Sequence, residues 1–192
     1  MSATYFLWEK QYEEGYCVLG ALEKVQKGFQ IMRGMSRLQG FPEDAYFAMQ
    51  PDFPKDIQVP DNVYGAVHIV ISKKTRALLE PLVTTRVEFL PVQIKDHKGR
   101  TASAEHFVLN PLDICDCIDV TASQVDWNDI NPDQIGFCKG LYFKPNAIPP
   151  QYNLFRLRHW ERRIVVRDDV IGALKSAGLT GLLFVDPLTV RS

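Results

Sequence analysis

Cys115-Asp116-Cys117, with Cys138, Cys17 and His106 elsewhere, is the group of residues whose types best suit a metal, because thiolate and imidazole are the ligands Zn²⁺ prefers. The spacing argues against such a site. Structural zinc sites take their close cysteine pairs two to four residues apart, whereas Cys115 and Cys117 in a strand point to one face, and no second close pair exists. Small buried hydrophobes in the run Leu112-Asp113-Ile114-Cys115-Asp116-Cys117-Ile118-Asp119 account for them, so neither metal nor cofactor is expected. As a strand, that run would put Ile114, Asp116 and Ile118 on one face and Asp113, Cys115, Cys117 and Asp119 on the other.

Hydrolytic chemistry finds little more. The four histidines are His68, His97, His106 and His159, none spaced from a Cys or Ser in a recognisable catalytic arrangement, and His68 sits inside an apolar run that suits a core imidazole. There is no H-E-x-x-H, G-x-S-x-G, G-x-x-x-x-G-K-[ST] or G-x-G-x-x-G. The expectation is a protein that is not an enzyme. The alternative is a small enzyme or ligand-binding domain that gathers His106, Asp113, Asp116 and Cys115 in a cleft.

Charge is the second source of chemistry. Thr101 to Cys138 holds seven acids (Glu105, Asp113, Asp116, Asp119, Asp126, Asp129, Asp133) and no Lys or Arg; Lys139 to Arg167 holds seven bases (Lys139, Lys144, Arg156, Arg158, Arg162, Arg163, Arg167) and one acid, Glu161. Either the two stretches neutralise each other within the fold, or one face stays charged and steers a partner of opposite sign. Alternation in Phe155-Arg156-Leu157-Arg158 predicts a strand with exposed arginines. A net charge of -1 argues against a nucleic-acid partner. No apolar run is long enough for a membrane span and no signal peptide opens the chain, so a cytoplasmic location with reduced thiols is expected.

The elements that must position these residues carry an internal echo. Ile69-Val70-Ile71 recurs 95 residues later as Ile164-Val165-Val166, Leu79 as Leu174, Thr85 as Thr180 and Phe89 as Phe184, with Glu80 and Lys175 in matching exposed slots. Each copy reads as strand, helix, strand. At 192 residues and 46% hydrophobic, the chain suits one α+β domain spanning 1–192, with two pseudo-repeated units (63–93 and 158–188) and a central antiparallel sheet. Phe89 and Phe184 are expected in its core. The first helix should run Lys73 to Leu82 with Ala77, Leu78 and Leu82 on one side, and Lys95-Asp96-His97-Lys98-Gly99 should turn Phe89–Ile94 back onto Glu105–Leu109. Residues 1–60 read as one early strand, Tyr5-Phe6-Leu7-Trp8, followed by loops anchored through Phe41, Tyr46, Phe47 and Phe53, because Gly and Pro punctuate the stretch.

The second copy, Arg163 to Asp169 and then Leu174 to Phe184, resembles the closing segment of a bacterial family once catalogued as a domain of unknown function. That family is now grouped with the immunity proteins of polymorphic toxin systems, the type first named from a myxobacterial protein. Three further stretches carry the resemblance: the strand and Ser-led helix of Ile69–Leu79, the aspartate-rich run Leu109–Asp119, and Leu154-Phe155-Arg156-Leu157. Gly178 would take left-handed geometry after the helix. The first copy departs from the pattern, with Val83 and Arg86 where the second has Gly178 and Gly181. The resemblance implies an antidote that binds a cognate toxin, encoded by the adjacent gene, and occludes it. Acidic residues facing a basic cleft and aromatic or arginine anchors would make that contact, which nominates Asp116, Asp119, Asp126, Trp127, Asp129, Arg156, Arg158 and Trp160.

Overall fold

A computed structural model describes residues 4–191. In chain order the elements are β1 (Tyr5–Lys10), β2 (Leu19–Glu23), α1 (Phe29–Met32), β3 (Tyr46–Met49), β4 (Asn62–Val63), β5 (Val70–Ser72), α2 (Lys73–Leu79), β6 (Val87–Lys95) and β7 (Thr101–Pro111). They continue with β8 (Ile114–Cys115), β9 (Asp126–Trp127), β10 (Ile135–Phe137), β11 (Leu154–Leu157), β12 (Trp160–Arg167), α3 (Asp168–Ser176) and β13 (Leu182–Val185), and a 3₁₀ turn follows at Pro187–Thr189. The protein is therefore mostly sheet with few helices. One sheet has the order β2-β3-β6-β7-β5-β4, a second β13-β1-β12-β11-β8, and β9 pairs with β10 as a separate ribbon.

The longest pairing is β6 with β7, an antiparallel hairpin in the expected place. Asp96 closes its turn by accepting the N–H groups of Lys98 and Arg100, both at 2.9 Å. Alternation along β6 buries Glu88, Leu90, Val92 and Ile94 on one face and half-buries Val87 and Phe89 on the other. Ser72 caps α2 by accepting the Thr75 N–H at 3.2 Å, while Asp61 accepts the Ser72 hydroxyl at 2.6 Å. In α3, Asp168 and Asp169 occupy the first turn, where negative charge meets the helix dipole favourably, and Val170, Ile171 and Leu174 face the core.

The two echoed segments each form a strand, a helix and a strand. β5 and β6 both run antiparallel to β7 and so parallel to each other; β12 and β13 bear the same relation to β1. Leu79 of α2, Leu174 of α3, Ile71 and Leu109 of the larger sheet and Leu154 and Val166 of the smaller one share a single apolar cluster. The two connections differ at their ends. Gly178 has φ +64° with open space around it, as the helix-ending position expects. Gly181 has φ +72°, and a Cβ there would lie 2.2 Å from the Asn62 carbonyl oxygen, because the chain passes β4 too closely for any side chain. Arg86, its counterpart in the first copy, instead reaches Asp113.

Several expectations need correction. The stretch 1–60 supplies β2 and β3 to the larger sheet as well as β1 to the smaller one, and Phe47 is fully buried. α2 stops at Leu79: Glu80 still takes helical angles and donates its N–H to the Arg76 carbonyl, but Pro81 has no N–H with which to continue the ladder. Its inward face is Thr75 and Leu79; Ala77 and Leu82 are exposed. Only Ile114 and Cys115 of the stretch Leu112–Asp119 form a strand, and Cys117 and Ile118 are buried together where alternation had separated them. Phe89 and Phe184 are half-buried: Arg76 lies 5.4 Å from the centre of the Phe89 ring, and Trp8 packs at 5.2 Å from Phe184.

Two outcomes follow for stability, measured by urea denaturation. Gly181→Ala should cost about 2 kcal/mol or more, combining left-handed strain with a backbone collision, whereas Gly178→Ala, strained but unobstructed, should cost about 1 kcal/mol. Phe47→Ala should lose roughly 3–5 kcal/mol, and Phe89→Ala distinctly less.

Candidate partner-binding site

The ribbon of β9 and β10 is built by its loop. The Asn128 side-chain oxygen accepts the N–H groups of Ile130 and Asn131 at 2.9 Å each, and the Gln134 carbonyl accepts the Asn128 N–H at 2.9 Å. This asparagine-led turn presents Ile130, 95% exposed, at the tip, with Trp127 and Phe137 at 43% and 42% on the strands. Asp126, Asp129 and Asp133 lie on the same strand and loop, exposed and, among the described residues, without an ion pair.

The ribbon is tied to the turn between β11 and β12. The His159 ring meets Trp127 edge-on at 5.4 Å, its Nδ1 lies 2.9 Å from the Asp133 carbonyl, and its own carbonyl accepts the Ile135 N–H at 2.9 Å. Gln134 Nε2 donates to Glu161 at 2.9 Å. The geometry thus groups Asp126, Trp127 and Asp129 of the nominated residues, and places exposed Arg158 on the anchoring turn. Asp116 is exposed but ion-paired with Lys144 at 3.1 Å, and Asp119 caps a turn by accepting the Ala122 N–H at 3.0 Å. Arg156 and Trp160 are corrected: at 3% and 1% exposed, they are interior residues and not part of the outer surface. Ile130 and Phe137 were not nominated. The signal for Ile130 is an isolated aliphatic residue among turn formers, Asn128-Asp129-Ile130-Asn131-Pro132.

Arg156 is buried because both faces of β11 are covered. Its guanidinium donates to the carbonyls of Pro111 (2.9 Å), Met32 (3.3 Å) and Glu161 (2.6 Å) and to the Asn110 side-chain oxygen (3.3 Å). Asn110 Nδ2 donates to Glu88 at 3.1 Å, and Glu88 also accepts from the Arg37 N–H at 2.9 Å and from the Ser36 hydroxyl. Burial brings the Arg156 pKa down to about 10. Arg156 also lines a cleft of about 730 Å³ between the sheets, beside Trp8, Lys10, His68 and Gln134.

The alternative site does not assemble. His106 lies within β7, with Nδ1 2.8 Å from the Ser103 hydroxyl, while Asp113 lies beyond the far end of that strand, more than about 15 Å away at the usual strand rise, and takes Arg86. Cys115 donates to the Ala147 carbonyl and Asp116 points to Lys144. All four cysteines are buried free thiols; burial pushes Cys17 up to about 12 and raises Cys115, Cys117 and Cys138 as well, which disfavours the reactive thiolate. Among the described residues no three His, Cys, Asp or Glu side chains converge as a metal site, and no helix is long and apolar enough to cross a membrane.

His68 is a core imidazole. Burial first, then the charges of Arg156 and Lys10, lower its pKa from 6.5 to about 4. The unfolded chain binds a proton near pH 6.5 that the folded chain refuses until about pH 4, so stability is full above pH 6.5 and falls as pH drops through that window. The loss should approach about 3 kcal/mol by pH 4, and His68→Gln should flatten that part of the pH profile of the urea midpoint.

The model of the immunity protein family Imm11 matches residues 12–188, from before β2 through the ribbon and the cleft to the 3₁₀ turn. No curated protein matches the chain significantly. With nearly its full length matched, the chain belongs to the immunity protein family Imm11.

Proposed function

We propose that this protein is the antidote to one toxin of a bacterial polymorphic toxin system, acting in the cytoplasm as a single non-catalytic domain that binds the toxin and occludes it. Membership of an immunity protein family supports the role. The observation that carries the location is the ribbon: Trp127, Ile130 and Phe137 are all exposed on it, and Asp126, Asp129 and Asp133 of the same ribbon and loop have no ion pair among the described residues. Exposed aromatic residues are favoured interface anchors, and unpaired acids add attraction to a basic surface such as a nuclease cleft. A toxin that binds nucleic acid would present such a surface, with the acids imitating phosphate. Arg158 adjoins the ribbon on its anchoring turn, whereas Asp116 is taken up by Lys144 and Asp119 by its own turn.

Co-expression with the toxin encoded by the adjacent gene tests both role and location. The unaltered chain should restore growth and co-purify with the toxin. Growth arrest despite abundant folded protein, with no complex recovered, rejects the role. Asp126→Lys with Asp129→Lys should leave the urea midpoint nearly unchanged yet slow association, most visibly at low salt. Trp127→Ala should cost about 2 kcal/mol or more of binding. Wild-type affinity in both variants would move the interface off the ribbon.

A further inference from the structure

The cleft between the sheets has a charge balance opposite to that of the ribbon. Five cations line it (Lys10, Arg33, Arg156, Arg162, Arg163) against two carboxylates, Glu9 and Glu161. Glu9 is ion-paired with Arg163, and Glu161 accepts from the Gln134 amide. Among the described residues, the other four cations form no direct ion pair with a carboxylate, although Glu9 and Glu161 lie near enough to Lys10 and Arg156 to favour their charged forms. Arg156 on the floor is satisfied only by carbonyl and amide oxygens, and Lys10 donates to the Ala66 carbonyl. Arg33 and Arg162 are exposed and lie near the aromatic faces of Phe29 and Trp160.

A cation held out of water without an anion is costly, and an arriving carboxylate relieves that cost. Burial lowers the pKa of both Lys10 and Arg156 by more than the neighbouring Glu9 and Glu161 raise it. Apart from His68 and Gln134, the rest of the lining is apolar. Trp8, Phe29, Met32 and Val67 contribute to it, and Val67 is 67% exposed at the rim. The Trp8 indole N–H is buried and, among the described residues, has no acceptor. A volume of about 730 Å³ accommodates a few side chains and lies within the usual range for ligand pockets.

The cleft also adjoins the ribbon, since Gln134 lines the one and leads into β10 of the other. A protein seated on Ile130 and Trp127 is therefore within reach of it. We propose that the cleft is a socket for an acidic, apolar segment of the toxin, an Asp or Glu beside a large apolar side chain, inserted toward Arg156 with Arg33 and Arg162 at the mouth. The partner's identity as a toxin rests on the immunity reading above; the socket's preference for a carboxylate next to an apolar group does not.

Two measurements separate these. N-acetylphenylalanine, which carries a ring and a carboxylate, and its neutral amide are titrated into the full chain while the three indole N–H resonances are followed by NMR. The acid should shift the Trp8 signal saturably and bind at least about ten-fold tighter than the amide, and Arg33→Glu with Arg162→Glu should abolish the difference. Both positions are exposed, so the doubly substituted chain should keep its fold, checked by circular dichroism. In the second measurement, that variant should bind the neighbouring toxin at least about ten-fold more weakly than the unaltered chain. Equal binding of acid and amide, or no saturable binding of either, overturns the carboxylate preference. Undiminished toxin binding by the variant overturns the toxin segment as occupant. If the unaltered chain forms no toxin complex, the immunity reading falls and the named occupant with it, while the probes still report on the socket itself.

Discussion

A single buried charged chain, Arg156–Asn110–Glu88, holds the two large sheets in register. Arg156 comes from β11 of the smaller sheet, while Asn110 and Glu88 face each other across β7 and β6 of the larger one. Glu88 then collects the Ser36 hydroxyl and the Arg37 N–H, and Arg156 collects the Met32 carbonyl, so the segment after α1 is fastened to both sheets at once. Gly34 lets that segment lie close: a Cβ there would stand 3.1 Å from Arg156 Cδ and 3.2 Å from the Pro111 carbonyl. In a low-dielectric interior such a network is favourable only while every member is satisfied, and loss of one partner strands a buried charge. Its outer end is the Glu161 carbonyl, one strand position from the turn that carries His159 and hence the ribbon. The placement of the exposed ribbon is thus inherited from a buried polar network.

The same constraint accounts for the fate of the segregated charges. Of the acids between Thr101 and Cys138, Asp116 meets a base from the following stretch, Lys144, while Glu105 and Asp113 pair with Lys73 and Arg86 from earlier in the chain. Lys73–Glu105 and Lys144–Asp116 are exposed pairs of the kind worth less than about 1 kcal/mol. Mutual neutralisation of the two stretches is therefore not what holds the fold together. Arg156 and Arg163 are drawn inward, Arg167 folds back on Asp169, and the acids of the ribbon remain outside.

What the sequence revealed follows from the period of its apolar residues. α3 has its buried residues at Val170, Ile171 and Leu174, a helical stripe closed by Gly178, and the β6–β7 hairpin alternates around a turn that Asp96 caps, so both were legible. β2, β3 and β4 are two to five residues long among glycines and prolines, too short to show a period. Phe155-Arg156-Leu157-Arg158 alternated and misled at Arg156, though Arg158 just past the strand is exposed, because alternation predicts an exposed face only where that face meets water, and β11 is buried at every position between β12 and β8. Asp126, Trp127 and Asp129 were legible as charged and aromatic neighbours in sequence. The cleft was not, since Trp8, Phe29, Val67, Arg156 and Arg162 become neighbours only after both sheets have formed.

An acidic, apolar ribbon beside a basic cleft has a consequence that neither has alone. A uniformly acidic surface attracts any basic partner, including many that should be refused. A partner that is basic throughout would meet the ribbon favourably and then bring like charge against Lys10, Arg33 and Arg162, where repulsion and desolvation both oppose it. Full engagement would require positive charge at the ribbon and negative charge one strand away, a pattern with far fewer matches than either sign by itself. Under the proposed reading, the buried guanidinium that fixes the fold also sets one half of that pattern, so substitutions tuning which toxin is bound would fall on Arg33, Arg162, Val67 and the ribbon tip, which can change without disturbing Arg156.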